Sequence, residues 1–204
     1  MKSKRGLLVL YSGPSGCGKG TVMQQVLAQR QDTVVSVSVT TRSPRPGEQD
    51  GVEYFFRTRE QFEQMIEQGQ LLEYAQYNGN YYGTPRAEIE KLLEQGKNVI
   101  LEIEVQGAEK VMDSGIDVVS VFLAPPSMQE LSRRLHKRAT EEEAVVQSRL
   151  DIARREMSRM FRYQFVVVNG ELERAVQDVH AILDAERLRY SRIKSILTED
   201  EASC

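Results

Sequence analysis

The sequence predicts an α/β fold, a three-layer core built around a parallel sheet. Three observations predict it. Short apolar runs at residues 7–12, 34–40, 99–105, 118–123 and 165–168 have the length and β-branched content of buried strands. Segments with helical spacing and capping signals alternate with them. The first run is followed at once by a glycine-rich turn and then by a helix-like stretch.

Taken in order, residues 7–12 end at Gly13-Pro14, and residues 19–29 place Val22, Met23, Val26 and Leu27 on one helix face. In the run 34–40, Val34, Val35, Val37 and Val39 are interleaved with Ser36, Ser38 and Thr40, as in one strand carrying hydroxyls near its end. Residues 41–52 form a polar Pro/Gly loop with two arginines. Thr58 to Gln61 matches a capping box, and its helix stops at Gly69. Runs 71–77 and 81–82 flank Asn78-Gly79-Asn80, a hairpin signal. Thr84-Pro85 reads as a cap with proline at the first helical position, opening a helix that ends at Gly96. Residues 99–105 alternate around Glu102 and Glu104, and residues 118–123 close at Pro125-Pro126. Capping boxes at Ser127 to Glu130 and Thr140 to Glu143 open two charged helices joined near Ala139. A last strand at 165–168 precedes Asn169-Gly170 and a long helix from Glu171, and the acidic tail 198–204 is expected to fray.

The 204 residues suffice for one sizeable domain with inserted lobes, and 40% hydrophobic with 28% charged residues is ordinary for a globular protein. A net charge of -3 gives no global reason to expect nucleic acid or a membrane surface as partner, so an anionic ligand has to be held by a local basic cluster. The run 7–11 is too short for a signal peptide, and no stretch approaches the roughly 20 apolar residues of a membrane-spanning helix. Two cysteines, Cys17 and Cys204, make no disulfide framework. These features read as a cytoplasmic protein.

The chemistry begins at Gly13-Pro14-Ser15-Gly16-Cys17-Gly18-Lys19-Gly20-Thr21. Glycines let successive N–H groups turn inward, the helix N-terminus adds positive potential, and Lys19 reaches the outer phosphates. This is the P-loop arrangement, and it makes ATP the expected ligand. The strict pattern has Ser or Thr directly after the lysine, whereas here Gly20 intervenes before Thr21, which favours a water-mediated over a direct hydroxyl contact to Mg²⁺. Cys17 reads as an ordinary filler of a variable position; the competing expectation is a thiolate that alkylates readily and is protected by ATP.

An acceptor site is suggested by Arg42 and Arg45, three apart in the polar loop and suited to clamp a phosphate with hydroxyls from Tyr54 and Tyr82. Glu73 on an apolar strand needs hydrogen-bond donors. Guanine's N1–H and N2 amine are a parallel donor pair for one carboxylate, while adenine has an acceptor at N1. A site built in this way discriminates by roughly 10⁴ or more.

With these blocks in view, and with Gly51-Val52-Glu53-Tyr54-Phe55-Phe56, Leu72-Glu73-Tyr74-Ala75, Gly79-Asn80-Tyr81-Tyr82-Gly83-Thr84, Glu102-Ile103-Glu104-Val105-Gln106-Gly107 and Val167-Val168-Asn169, the chain resembles the guanylate kinases along nearly its whole length. The resemblance implies a P-loop kinase with a parallel central sheet, an inserted GMP-binding lobe and a helical lid. It implies that Arg42, Arg45, Tyr54 and Tyr82 hold the phosphate of GMP, that Ser38, Glu73 and Thr84 read guanine, and that Glu104 lies near nucleotide and metal. Mg²⁺ is the implied cofactor, with Thr21, Glu102 or Glu104 its candidate holders through water. Family members often have Asp at one or both of positions 102 and 104, where this chain has Glu at both.

Arg134, Arg138 and Arg149 match the arginines of the family's lid, which stack on adenine or bridge the phosphates, and Asn169 matches an adenine-side contact. Arg133, Arg154 and Arg155 read as solvated surface, and His136 and His180 have no metal-ligand spacing. The expected segments are a core of residues 1–35, 97–126 and 162–204, a GMP lobe of 36–96 and a lid of 127–161. The expected reaction is ATP + GMP ⇌ ADP + GDP, with dGMP a further acceptor to test and the choice between monomer and homo-oligomer open. Two other readings compete: a non-catalytic guanylate-kinase-like module that binds phosphopeptides, which an intact Gly13, Gly18 and Lys19 disfavour, and another small-molecule kinase, which Glu73 disfavours.

Overall fold

Residues 5–77, 79–137 and 143–193 are described in the computed structural model. In chain order the elements are β1 (Leu8–Ser12), α1 (Lys19–Gln29), β2 (Thr33–Val35), β3 (Ser38–Thr40), β4 (Tyr54–Phe56), α2 (Arg59–Glu67), β5 (Leu71–Tyr77), β6 (Asn80–Pro85), α3 (Arg86–Glu94), β7 (Asn98–Glu102), α4 (Val105–Asp113), β8 (Val119–Ala124), α5 (Met128–Lys137), α6 (Glu143–Met157), a 3-10 turn (Met160–Arg162), β9 (Phe165–Val168) and α7 (Leu172–Arg187). The fold is α/β with a parallel central sheet. Contacts gather the chain into two units, Met1–Ser12 with Gln31–Ser120 and Gly13–Arg30 with Val121–Cys204.

In the first unit, β2, β7 and β1 run parallel, with Val34 opposite Val99 and Leu10 opposite Leu101. Every residue of β1 is buried, which explains why it reads as a continuous apolar run rather than an alternation. Asn98 is buried beneath it with both ends of its amide engaged: Oδ1 accepts from the Leu7 backbone at 3.3 Å and Nδ2 donates to Thr33 Oγ1 at 3.2 Å. A second, mixed sheet has the order β4-β3-β6-β5. It packs on α2 through Val39, Phe62 and Leu71, with Phe62 stacked on Tyr81 at 5.1 Å between ring centroids. The capping box opening α2 forms reciprocally between Thr58 and Gln61.

In the second unit, β8 and β9 pair in parallel from Val121 opposite Phe165 to Ala124 opposite Val168. Helices α5 and α6 share an apolar seam of Leu131, Leu135, Val146, Leu150 and Ala153. Ser127 caps α5 by accepting from the Glu130 backbone at 3.0 Å.

Several local expectations change. The run 34–40 is two strands: after Ser36 donates to the Ile100 carbonyl at 2.9 Å, the chain leaves one sheet and enters the other as β3. The strand expected over 99–105 ends at Glu102, and Glu104 becomes the N-cap of α4, a helix the alternating pattern concealed. Strand β4, three residues beside β3, is too short to announce itself. Pro85, not Thr84, sits at the N-cap of α3, because the Thr84 hydroxyl is turned to Glu73. The hairpin residue Asn78, the Ala139 joint, the capping box at Thr140 and the tail 198–204 lie outside the described residues.

Candidate active site

In the second unit β1's successor turn curls onto α1. Gly13 leaves no room for a side chain, since a Cβ there would lie 2.2 Å from the Leu123 carbonyl oxygen. Gly18 takes the N-cap of α1 in the left-handed region at φ 97°, where an L side chain would be strained. Lys19, the first residue of α1, folds back over the loop and donates to the carbonyls of Gly13 at 2.6 Å and Pro14 at 3.3 Å. Ser15 is exposed, and its Oγ accepts from Arg149 at 2.7 Å. Gly16 lies against Leu135, while Gly20 and Thr21 are exposed on the first turn of α1.

Arg134 spans three partners: Glu130 Oε1 at 2.8 Å, the Cys17 carbonyl at 3.2 Å and the Asn169 carbonyl at 2.9 Å. The buried Asn169 completes the bracket by donating from Nδ2 to the same Cys17 carbonyl at 2.7 Å. Glu130 also receives two bonds from Arg133, and the two guanidinium groups depress its pKa to about 2. Arg133 itself is exposed, as expected of solvated surface. The Cys17 side chain is fully buried, which argues against ready alkylation. Arg138 lies outside the described residues.

In the first unit a cavity of about 400 Å³ is lined by Ser38, Tyr54, Glu73, Tyr82, Glu104 and Gly107, among others. Glu73 lies on β5, and its Oε1 accepts from Thr84 Oγ1 at 2.6 Å. Its other oxygen faces Gly107 of α4, where a Cβ would stand 3.3 Å away. The residue opens on the cavity and so is only half-buried by surface area. Its carboxyl is nonetheless drawn into the protein, and desolvation raises its pKa despite the Thr84 hydroxyl and the Lys110 charge, which act the other way.

Arg42 follows β3, with its guanidinium 5.4 Å from the Tyr54 ring centroid and 5.8 Å from that of Phe56. It donates to Glu48 Oε1 at 2.9 Å and to the Ser43 carbonyl at 2.7 Å. Tyr54 and Tyr82 meet edge to face at 6.1 Å. Arg45 is exposed, and its backbone N–H is held by Glu48 Oε2 at 2.7 Å.

A family model described as Guanylate kinase matches residues 4–186. The chain belongs to the guanylate kinase family. Guanylate kinases from Desulfitobacterium hafniense and Oceanobacillus iheyensis are 52% and 50% identical to it over 192 and 193 residues, covering 94% and 95% of this chain and 96% and 94% of theirs. The crystal structure of guanylate kinase from Anaplasma phagocytophilum superposes with a TM-score of 0.72 at 37% identity, covering 94% of this chain and 92% of that one.

Within the guanylate kinase sequence pattern, Ser38, Tyr54, Glu73, Tyr82 and Glu104 line one cavity of the first unit. Thr84 joins them through Glu73. The cradle residues, Arg134, Arg149 and Asn169 are gathered in the second unit. Glu48, Glu130, Gly107 and Lys110 were missed as site residues. Glu48 and Glu130 carried a readable signal, a carboxylate three or four residues from a candidate arginine.

Among the described residues no group of three or more His, Cys, Asp or Glu side chains forms a metal cage. Thr21 in the second unit is exposed, as are Glu102 and Glu104 in the first, and an exposed hydroxyl or carboxylate of this kind suits a cation that keeps most of its waters, as Mg²⁺ does. No helix of the described residues is long and apolar enough to cross a membrane.

Proposed function

We propose that this guanylate kinase transfers the γ-phosphoryl group of ATP to GMP, giving ADP and GDP, with Mg²⁺ as cofactor. The observation that carries the acceptor is Glu73, a half-buried carboxyl with one oxygen bonded to Thr84 and the other facing the space over Gly107. Ionised, it presents two acceptors to the donor edge of guanine, with Ser38 and Thr84 completing the reading. Arg42, Arg45, Tyr54 and Tyr82 take the phosphate of GMP.

At the donor end the backbone of residues 13–21 cradles the ATP phosphates, and Lys19 exchanges its two carbonyl partners for phosphoryl oxygens. Arg134, Arg138 and Arg149 supply positive charge from the proposed lid, residues 127–161, and Asn169 faces the adenine side. Residues 36–96 form the proposed acceptor lobe, and residues 1–35, 97–126 and 162–204 the core. Bound Mg²⁺ would neutralise charge on the transferred group, with Thr21, Glu102 or Glu104 as its holder through water. No side chain has to act as a strong base, because the attacking oxygen of GMP is already ionised, and placement with charge neutralisation does the rest.

ADP release measured across AMP, GMP, CMP and UMP tests the assignment. Turnover with GMP and dGMP and background rates with the others are expected; equal rates with AMP and GMP would overturn it. The reaction places the protein in purine nucleotide metabolism, and cytoplasmic residence is part of the same proposal.

A further inference from the structure

Glu48 has no place in the reaction as derived, yet both of its oxygens are spent on the acceptor arginines. Oε1 accepts from Arg42 Nη2 at 2.9 Å and Oε2 from the Arg45 backbone at 2.7 Å. The Glu48 backbone N–H closes the turn by donating to the Arg45 carbonyl at 3.0 Å. The ion pair is well sheltered, with side-chain exposures of 15% for Arg42 and 16% for Glu48. Arg42 is fixed from other sides as well. Its Nη1 donates to the Ser43 carbonyl, its backbone N–H donates to Thr40 Oγ1 at 3.2 Å, and its guanidinium stands over Tyr54 and Phe56.

A fork held in this way loses little rotamer freedom when a phosphate arrives, and this preorganisation strengthens binding without a new contact. Opposing it is the repulsion between the Glu48 carboxylate and the incoming phosphate, which solvent weakens at an open site. We infer that Glu48 is a positioning residue for the GMP phosphate, holding the Arg42 fork and the Arg45 turn in the geometry that phosphate needs. The inference rests on the acceptor reading of this cavity. The Arg42 pair also holds the Glu48 carboxyl below the usual carboxylate range, with the Arg45 backbone bond assisting, so Glu48 stays ionised wherever the enzyme is assayed near neutrality.

The test is calorimetric binding of GMP and of guanosine to wild type, Glu48→Gln and Glu48→Ala, with ATP affinity measured alongside. Glutamine keeps an oxygen for the Arg45 backbone but presents an amide to Arg42. The variant is expected to bind GMP about tenfold more weakly, the size of one charge-assisted hydrogen bond. Guanosine, which lacks the phosphate, and ATP are expected to bind as to wild type. A purely structural role would weaken GMP and guanosine together, and that outcome overturns the inference. So does tighter GMP binding, which would mean that repulsion outweighs positioning. Should the alanine variant fail to fold, the isosteric glutamine variant carries the test. Failure of wild type itself to bind GMP would strike the acceptor reading, whereas tight wild-type binding left unchanged by Glu48→Gln strikes only the role of Glu48.

Discussion

The two units of this guanylate kinase hold their leading cations, Lys19 and Arg42, by opposite means. In the second unit the cradle is mostly backbone, contiguous from Gly13 to Thr21; Lys19 donates to two carbonyls, Arg149 donates to the Ser15 hydroxyl, and Arg134 is paired with Glu130. In the first unit the site is built of side chains from five separate stretches, and its leading cation, Arg42, is tied to a carboxylate. A cation on neutral acceptors is released readily to a phosphate that arrives with its own charge. A cation in a sheltered ion pair stays in place and presents its remaining donors. In the proposed reaction Lys19 is thus arranged for exchange and Arg42 for fixed recognition.

The sharpest way to break that contrast is Lys19→Ala. Turnover is expected to fall by about 10³-fold or more, since a point charge aimed at the transferred group is lost. GMP affinity should be unchanged, because the acceptor cavity lies within the other unit. Calorimetry showing GMP binding reduced together with turnover would mean that the two ends are not separable in this way.

Glu73→Gln tests the acceptor end. The catalytic efficiency kcat/KM for GMP is expected to drop by roughly 10²- to 10⁴-fold, with the preference for GMP over AMP collapsing and ATP affinity retained. The variant also carries a stability prediction whose sign follows from burial. The folded-state pKa of Glu73 is raised, so its proton stabilises the fold below the unfolded value and that stabilisation is lost as pH rises through the folded value. Without nucleotide, Glu73→Gln should therefore melt higher than wild type at pH 8, and the gap should close towards pH 4. A lower melting temperature at pH 8 would show that the Thr84 bond and the Lys110 charge outweigh desolvation.

Glu130→Gln probes the bracket that holds Arg134 to the cradle. It should raise KM for ATP by about two- to fivefold, the scale of an exposed ion pair, and leave KM for GMP alone. Because its pKa lies at about 2, Glu130 is ionised throughout the assay range and the effect should not vary between pH 6 and pH 9. A pH-dependent effect would point to another group.

The same contrast explains what the sequence discloses. The cradle is legible because nine consecutive residues carry it, and Gly13 and Gly18 answer to a carbonyl 2.2 Å from a Cβ and to a left-handed backbone. The strands β1, β8 and β9 and the capping box of α2 are legible for the same local reasons. Ser38, Glu73 and Thr84 become a site only when β3, β5 and β6 bring them together, and here the resemblance supplied what periodicity could not. Thr84 shows the limit well. Next to Pro85 it has every local mark of a helix cap, but a carboxyl eleven residues earlier takes its hydroxyl. Helix α4 stayed hidden because Glu102 and Glu104 continue the strand alternation past the point where the strand stops.

The smallest expected effect concerns α5 and α6, which the proposed lid comprises. His136 near the end of α5 meets Glu143 at the start of α6 at 3.1 Å, both of them exposed. The pKa of His136 is raised, first by the Ser132 carbonyl and then by Glu143, and that of Glu143 is lowered, first by Gln147 and then by His136. The histidine's contribution is complete below its unfolded pKa and is lost as pH rises through the folded one. The carboxylate's is complete above its unfolded pKa and is lost as pH falls through its folded one. The pair therefore stabilises most in the window between the two ordinary values, about pH 4.5 to 6.5. Glu143→Gln should lower the melting temperature slightly at pH 5.5 and by less at pH 8.5, where the imidazole is neutral and only the charge-assisted Gln147 bond is weakened. A residual rise of the His136 pKa should survive in the variant, because the Ser132 carbonyl remains; NMR titration of the imidazole reads it directly. An imidazole that returns fully to its ordinary value would assign the whole shift to Glu143 and make this pair a stronger tie between the two helices than its exposure implies.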